Sequence, residues 1–112
     1  MRIDKELLKG STVILILTLL DRRPMYGYEM LTELEQASGG VFQFKEGTLY
    51  PILHALEANG YVESYWDQTE SARQRKYYRI TSKGRGHLAA KRSEWVTFRS
   101  AVDRVIGEEG VS

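Results

Sequence analysis

The side chains whose types and spacing could do chemistry in this sequence are mostly basic and aromatic. Between positions 73 and 92 stand Arg73, Arg75, Lys76, Arg79, Lys83, Arg85, Lys91 and Arg92, with no acid among them. Residues 1 to 44 hold one acid more than they hold bases, so the formal net charge of +1 hides a marked asymmetry. A stretch of one sign presents positive potential to an anionic partner, a polyanion above all; a solvated face that keeps the protein soluble is the plainer alternative. Covalent and metal chemistry find little to use. There is no cysteine, so disulfides and thiolate zinc sites are excluded, and His54 and His87 are too few and too far apart for a metal site. No nucleophile with a base and an orienting group, no pair of buried carboxylates and no glycine-rich phosphate loop is legible. The chain is therefore expected to be no enzyme and to need no cofactor.

These residues must be positioned by one small domain. At 112 residues, 42% apolar and 28% charged, the chain has the profile of a single folded unit with a modest core, which a partner subunit would enlarge. The longest apolar run, Val13 to Leu20, includes Thr18 and is far shorter than the roughly 18 residues of a membrane span. Asp21-Arg22-Arg23 follows it, not the small residues of a secretory cleavage site, and the expected location is the cytoplasm.

Lys5 to Arg23 predicts a first helix, with Gly10-Ser11-Thr12 as a break or second start. Its second half is apolar all round and so needs cover on more than one side, in part from another subunit. Pro24 ends it. Met25 to Ser38 predicts a second helix, with Tyr28, Leu31, Leu34 and Glu35 at helical spacing and Gly39-Gly40 as the stop. A third occupies Lys45 to Gly60 and turns Leu49, Ile52, Leu53 and Leu56 to one face. Its Pro51 falls in the first turn if Thr48 is the N-cap; a start at Lys45 or Glu46 predicts a local kink there. Tyr61 to Asp67 and Gln74 to Ile80 predict a β-hairpin with a mobile tip. Thr81 or Ser82 then caps a fourth helix reaching about Ile106. Along it Leu88, Trp95 and Val102 recur at heptad spacing, with Phe98 and Val105 beside them and Lys91 in the remaining seam position, a pattern suited to a partner helix. Residues 107–112 are expected to fray.

This order describes a fold that is mainly α with a small β-hairpin: a winged helix-turn-helix with a C-terminal dimerisation helix. The sequence resembles the PadR family of bacterial transcriptional regulators in Tyr26-Gly27-Tyr28-Glu29, in Gly47-Thr48-Leu49-Tyr50-Pro51-Ile52-Leu53 with Leu56-Glu57 and Gly60, and in Arg75-Lys76-Tyr77-Tyr78-Arg79-Ile80-Thr81 with Gly84. The resemblance covers nearly the whole chain. The single short last helix is similar to that of the small-protein subgroup. Its multidrug-responsive branch is resembled most, through Ser64-Tyr65-Trp66, the same Arg75 to Arg79 run, and Ser93-Glu94-Trp95 followed by Val102-Asp103. The implied division is a DNA-binding domain over 1–81, a dimerisation helix over 82–107 and a tail over 108–112.

On double-stranded DNA, the N-terminal end of the third helix would read the major groove while the preceding helix crosses the backbone. Lys45, Thr48 and Tyr50 are then candidate contacts on the reading helix and Tyr26 a phosphate contact. Groove exposure is the expectation for Tyr50, a place in the core the alternative, and of Tyr26 and Tyr28 one is expected only to pack. Arg73, Arg75 and Lys76 form the wing contact, although strand alternation sends Arg75 and Lys76 to opposite faces. Lys83, Arg85, Lys91 and Arg92 are expected to be solvated or partner-facing. Two such modules related by a dyad read a palindrome, so a homodimer is expected, its interface joining the last helix to the first helix of the other subunit. The resemblance further implies that Trp95 lines a cleft at the dimer centre that takes a planar aromatic molecule. Leu15, Ser11 and Phe98 are lining candidates by helix position; a filled interface core is the alternative. The expectation is a homodimeric repressor released by a planar aromatic effector. A regulator without a small-molecule ligand and a winged-helix protein-interaction module are the other readings.

Overall fold

The computed structural model describes residues 11–68 and 74–107. The expected helix over 5–10, the hairpin tip around Arg73 and the frayed tail over 108–112 lie outside the described residues. Helix α1 spans Thr12–Arg22, so Gly10-Ser11-Thr12 marks a helix start, with Leu15 N–H donating to the Ser11 carbonyl at 3.1 Å. Its second half is covered within the chain itself: Ile16, Leu17, Leu19 and Leu20 are all buried, and Val13, Ile14 and Leu15 are half-buried against the same core. Arg23 turns extended ahead of Pro24 and reaches forward to Glu29 at 2.9 Å and Glu33 at 3.5 Å.

The second helix begins two residues later than expected. Met25–Tyr26 form a short strand, β1, and only at Gly27 does helix α2 start, running to Ala37. Backbone pairing outside the helix decides this: Met25 and Tyr26 lie antiparallel to Tyr78 and Tyr77, and Glu29 closes the helix end by accepting from the Tyr26 N–H at 3.2 Å. The inward stripe of α2 is Met30 and Leu34 with Leu31 half-buried, whereas Tyr28 is 66% exposed and does not pack as its spacing implied. Gly39 and Gly40, at φ of 64° and 85°, supply the stop.

Helix α3 spans Glu46–Ala58 with Lys45 as N-cap. Thr48 is not the cap; its own N–H already donates to the Lys45 carbonyl at 3.0 Å. Pro51 therefore sits beyond the first turn, and the helix continues through it. The carbonyl that loses a donor belongs to Gly47, and Gly47 and Pro51 are both exposed, so water can take the missing place. Leu49, Leu53 and Leu56 are buried as their spacing requires.

Strands β2 (Val62–Gln68) and β3 (Gln74–Ile80) form the hairpin, in register from Val62 opposite Ile80 to Gln68 opposite Gln74. With β1 they make a three-stranded antiparallel sheet in the order β1-β3-β2, one strand more than a hairpin. Its inner face gives Met25, Val62, Tyr78 and Ile80 to the core. Helix α4 spans Ser82–Ile106. Its N-cap Thr81 accepts from Gly84 N–H at 3.0 Å and donates to the Gly60 carbonyl at 2.6 Å, tying the start of the helix to the turn before β2. Leu88 belongs to the chain's own core and not to an outer seam, and Arg85 to Asp21 at 3.2 Å fastens the helix to α1. Past Leu88, Trp95, Val96, Phe98, Val102, Val105 and Ile106 are exposed.

Candidate nucleic-acid interface

The first turn of α3 is open to water. Lys45, Glu46, Gly47 and Thr48 are all exposed, held there because Leu49 and Leu53, on the other side of the helix, are buried. The exposed turn offers a lysine, a hydroxyl, a carboxylate and the backbone N–H groups of a helix N-terminus, where anions are favoured. Glu46 was not singled out from the sequence. Its position at the exposed start of the helix is the only signal, and a carboxylate at such a place can accept from a cytosine amino group.

Tyr50 links this turn to the next element. It is half-buried rather than free-standing; its ring packs against the core and its hydroxyl lies over Gly27, the first residue of α2. Burial, reinforced by Glu46, pushes the Tyr50 hydroxyl above its ordinary pKa, so at neutral pH it is an intact donor. Next to Gly27, Tyr26 stands edge-on to Tyr77 at 5.4 Å, and the Arg75 guanidinium lies over the Tyr26 ring at 4.7 Å. Tyr50, Tyr26 and Arg75 are thus brought together through the start of α2. The ladder continues along the outer face of the sheet, with Tyr77 stacked on Tyr65 at 5.7 Å and Arg79 over Tyr65 at 5.0 Å. Lys76 is on the other face, its ammonium 5.7 Å from the Tyr78 ring, as strand alternation requires. Arg73 lies outside the described residues.

The basic run divides according to partners. Arg79 is neutralised by Glu63 at 2.7 Å, Arg85 by Asp21 at 3.2 Å and Lys91 by Glu94 at 3.6 Å. Lys83 lies over Tyr61 and Arg92 reaches the Thr18 hydroxyl at 3.5 Å. Among the described residues, Lys45 of α3 and Arg75 and Lys76 of the hairpin form no ion pair, and neither do Arg22, Lys83, Arg92 and Arg99.

The residues expected to hold a ligand are on two helices. Trp95 and Phe98 of α4 stand with ring centres 6.1 Å apart, both exposed, while Leu15 and Ser11 of α1 are half-buried. The groove beside Phe98 is lined by Ala101, Val102, Val105 and Ile106. Neither this groove nor the one lined by Ala89, Arg92, Ser93, Val96 and Thr97 joins the four candidates. No cluster of metal-ligating side chains is found among the described residues, and none of their helices is long and apolar enough to cross a membrane.

Comparison with known proteins places this geometry. Residues 16–90 match the model of the transcriptional regulator PadR-like family. An uncharacterised curated relative from Lysinibacillus sphaericus is 33% identical over 101 residues, 90% of this chain and 93% of its own length. A transcriptional regulator from Clostridium thermocellum has a similar structure, with a TM-score of 0.84 at 31% identity over 91% of this chain and 96% of that one. A PadR family transcriptional regulator from Eggerthella lenta has a TM-score of 0.78 at 35% identity, covering 90% of this chain and 86% of that chain.

Proposed function

The chain belongs to the PadR-like family of transcriptional regulators, DNA-binding proteins and not enzymes, and from that premise we propose that it binds a palindromic operator as a homodimer and acts as a repressor. In this reading residues 1–81 are the reading head and residues 82–107 the dimerisation helix. Lys45, Thr48 and Tyr50 contact bases and phosphates of the major groove, Tyr26 a phosphate, and Arg73, Arg75 and Lys76 the flanking backbone or minor groove. The observation that carries it is the exposed first turn of α3, where Lys45 and Thr48 stand open to water and Lys45 forms no ion pair among the described residues, beside a hairpin whose Arg75 and Lys76 likewise meet no carboxylate. Repression follows where the operator overlaps a promoter, because an occupied site excludes the polymerase.

A gel shift with the double-stranded DNA immediately upstream of the coding region tests the surface. Affinity is expected to fall steeply with salt, and Arg75→Ala, which removes one phosphate contact from each subunit of the dimer, to lower the slope of log affinity against log salt by about 1.8. Tyr50→Ala is expected to weaken binding at every salt concentration. Full binding by both variants would show that the contact surface lies elsewhere.

The same reading extends to an effector. The exposed pair Trp95 and Phe98, doubled by a dyad, is suited to enclosing a planar aromatic molecule as in the multidrug-responsive branch, with Leu15 and Ser11 of α1 completing the wall. Release from DNA requires that the molecule prefer the non-DNA conformation, since equal affinity for both shifts nothing. Titrating planar dyes against the fluorescence of Trp95 in a Trp66→Phe background is expected to quench it saturably. An unmoved signal leaves a regulator without a small-molecule ligand.

A further inference from the structure

On the helix-facing side of the wing, residues of β2 and β3 stand in three successive facing pairs: Val62 with Ile80, Ser64 with Tyr78, and Trp66 with Lys76. The first pair is buried in the core. In the second, Tyr78 is buried and the Ser64 hydroxyl donates to the Glu57 carboxylate of α3, so this face looks toward the reading helix. The third pair runs past the cover of the helices, and Trp66 is 64% exposed. An indole left in water at the end of a row otherwise built into the core is surface waiting for an occupant. Lys76 beside it has no carboxylate partner among the described residues, whereas Arg79, farther from the tip, is neutralised by Glu63. The pair therefore offers a flat apolar ring and an unpaired cation side by side, on a projecting hairpin whose opposite face carries Arg75 over Tyr26. A sugar-phosphate backbone matches both halves: deoxyribose is apolar where the ring touches, and the neighbouring phosphate is anionic where the ammonium reaches.

Resting on the DNA-binding reading above, we propose that Trp66 is a DNA-contacting residue of the wing, its indole laid against deoxyribose in the minor groove beside the reading helix and Lys76 on the adjacent phosphate. The ring supplies burial and the lysine supplies charge, so the two act on different observables. Removing Trp66 lowers affinity without altering salt dependence; removing Lys76 lowers the salt slope by one phosphate contact per subunit, roughly 1.8 for the dimer.

Fluorine NMR of fluorotryptophan-labelled protein gives one signal for each of the two tryptophans, and Trp66→Phe assigns them. With the duplex from upstream of the coding region, the Trp66 signal is expected to shift and to lose most of its solvent-isotope effect. Trp66→Ala is expected to bind this duplex about tenfold more weakly with an unchanged salt slope. Because the ring is exposed, that variant keeps the fold, and an unchanged melting temperature checks it. Wild-type binding with an unmoved Trp66 signal and undiminished affinity in Trp66→Ala overturns this inference alone and assigns the ring to some other partner. A wild-type protein that shifts no duplex at all overturns the DNA-binding reading and this inference with it.

Discussion

Gly27 is where a single absent methyl group decides the shape of the candidate interface. A Cβ built there falls well inside van der Waals contact of the Tyr50 hydroxyl and ring edge. Gly27→Ala is therefore expected to swing Tyr50 outward, costing about 1–3 kcal/mol and weakening DNA binding, with part of the stability recovered in Gly27→Ala/Tyr50→Phe. Thermal melts and a gel shift on the two variants check this. Equal loss in the single and double variants would mean that the hydroxyl is not what the methyl meets. The tyrosine hydroxyls carry a second expectation. Burial first, and then Glu57 for Tyr78 and Glu29 for Tyr77, hold both hydroxyls above the ordinary value of 10, as burial does for Tyr50. The folded state thus keeps these protons more tightly than the unfolded chain. Their contribution to stability is complete below about pH 10 and declines as pH rises through the folded values. The melting temperature should fall above about pH 10, and less steeply in Tyr78→Phe; identical slopes would assign the fall to other groups. How far such residues could be read from sequence depends on what places them. Lys45 and Thr48 at an exposed helix start follow from the buried face of Leu49 and Leu53. The half-burial of Tyr50 does not, because it depends on Gly27, a residue of a different helix.

At the scale of elements, local rules fixed most boundaries and long-range pairing overrode one. The stop at Gly39-Gly40, the hairpin strands and the Thr81 cap were all legible, since each rests on chemistry within a few residues. The strand at Met25–Tyr26 was not, because its partners Tyr77 and Tyr78 are some fifty positions away and two residues carry no periodicity of their own. Pro51 leaves the start of α3 open between a Thr48 cap and a start at Lys45 or Glu46, and the Thr48 and Leu49 N–H groups, both donating to the Lys45 carbonyl, settle it. Thr81 shows how much one side chain can do at a junction. Its hydroxyl caps α4 through Gly84 N–H and donates to the Gly60 carbonyl, so Thr81→Ala forfeits both bonds. A loss of about 1–2 kcal/mol is expected, at the upper end for a cap, and Thr81→Ser should retain most of the stability. Denaturant melts with an unchanged m-value would verify it; a Ser variant as unstable as the Ala variant would show that the methyl group, not the hydroxyl, matters.

For the whole molecule, the decisive feature is a helix longer than its own chain can cover. Leu88 is buried, whereas Phe98 is 61% and Val105 86% exposed, and the described residues extend over 55 × 31 × 21 Å. Because these outer side chains contribute nothing to the single chain's core, charging them should separate association from folding. Phe98→Glu/Val105→Glu is expected to leave helical content intact and to sediment as a 12.9 kDa monomer at micromolar concentration, where the unaltered protein is expected to sediment as a dimer. A monomer presents one reading head, so its affinity for the upstream duplex should drop by about a hundredfold or more and its salt slope should halve, since half the phosphate contacts are gone. The two readouts discriminate. Weaker binding with an unchanged slope would mean that both heads still engage and that the subunits are joined through the half-buried side chains of α1 rather than through the outer half of α4. A monomeric wild type that binds as tightly as expected of a dimer would show that the dyad is formed on the DNA and not before it.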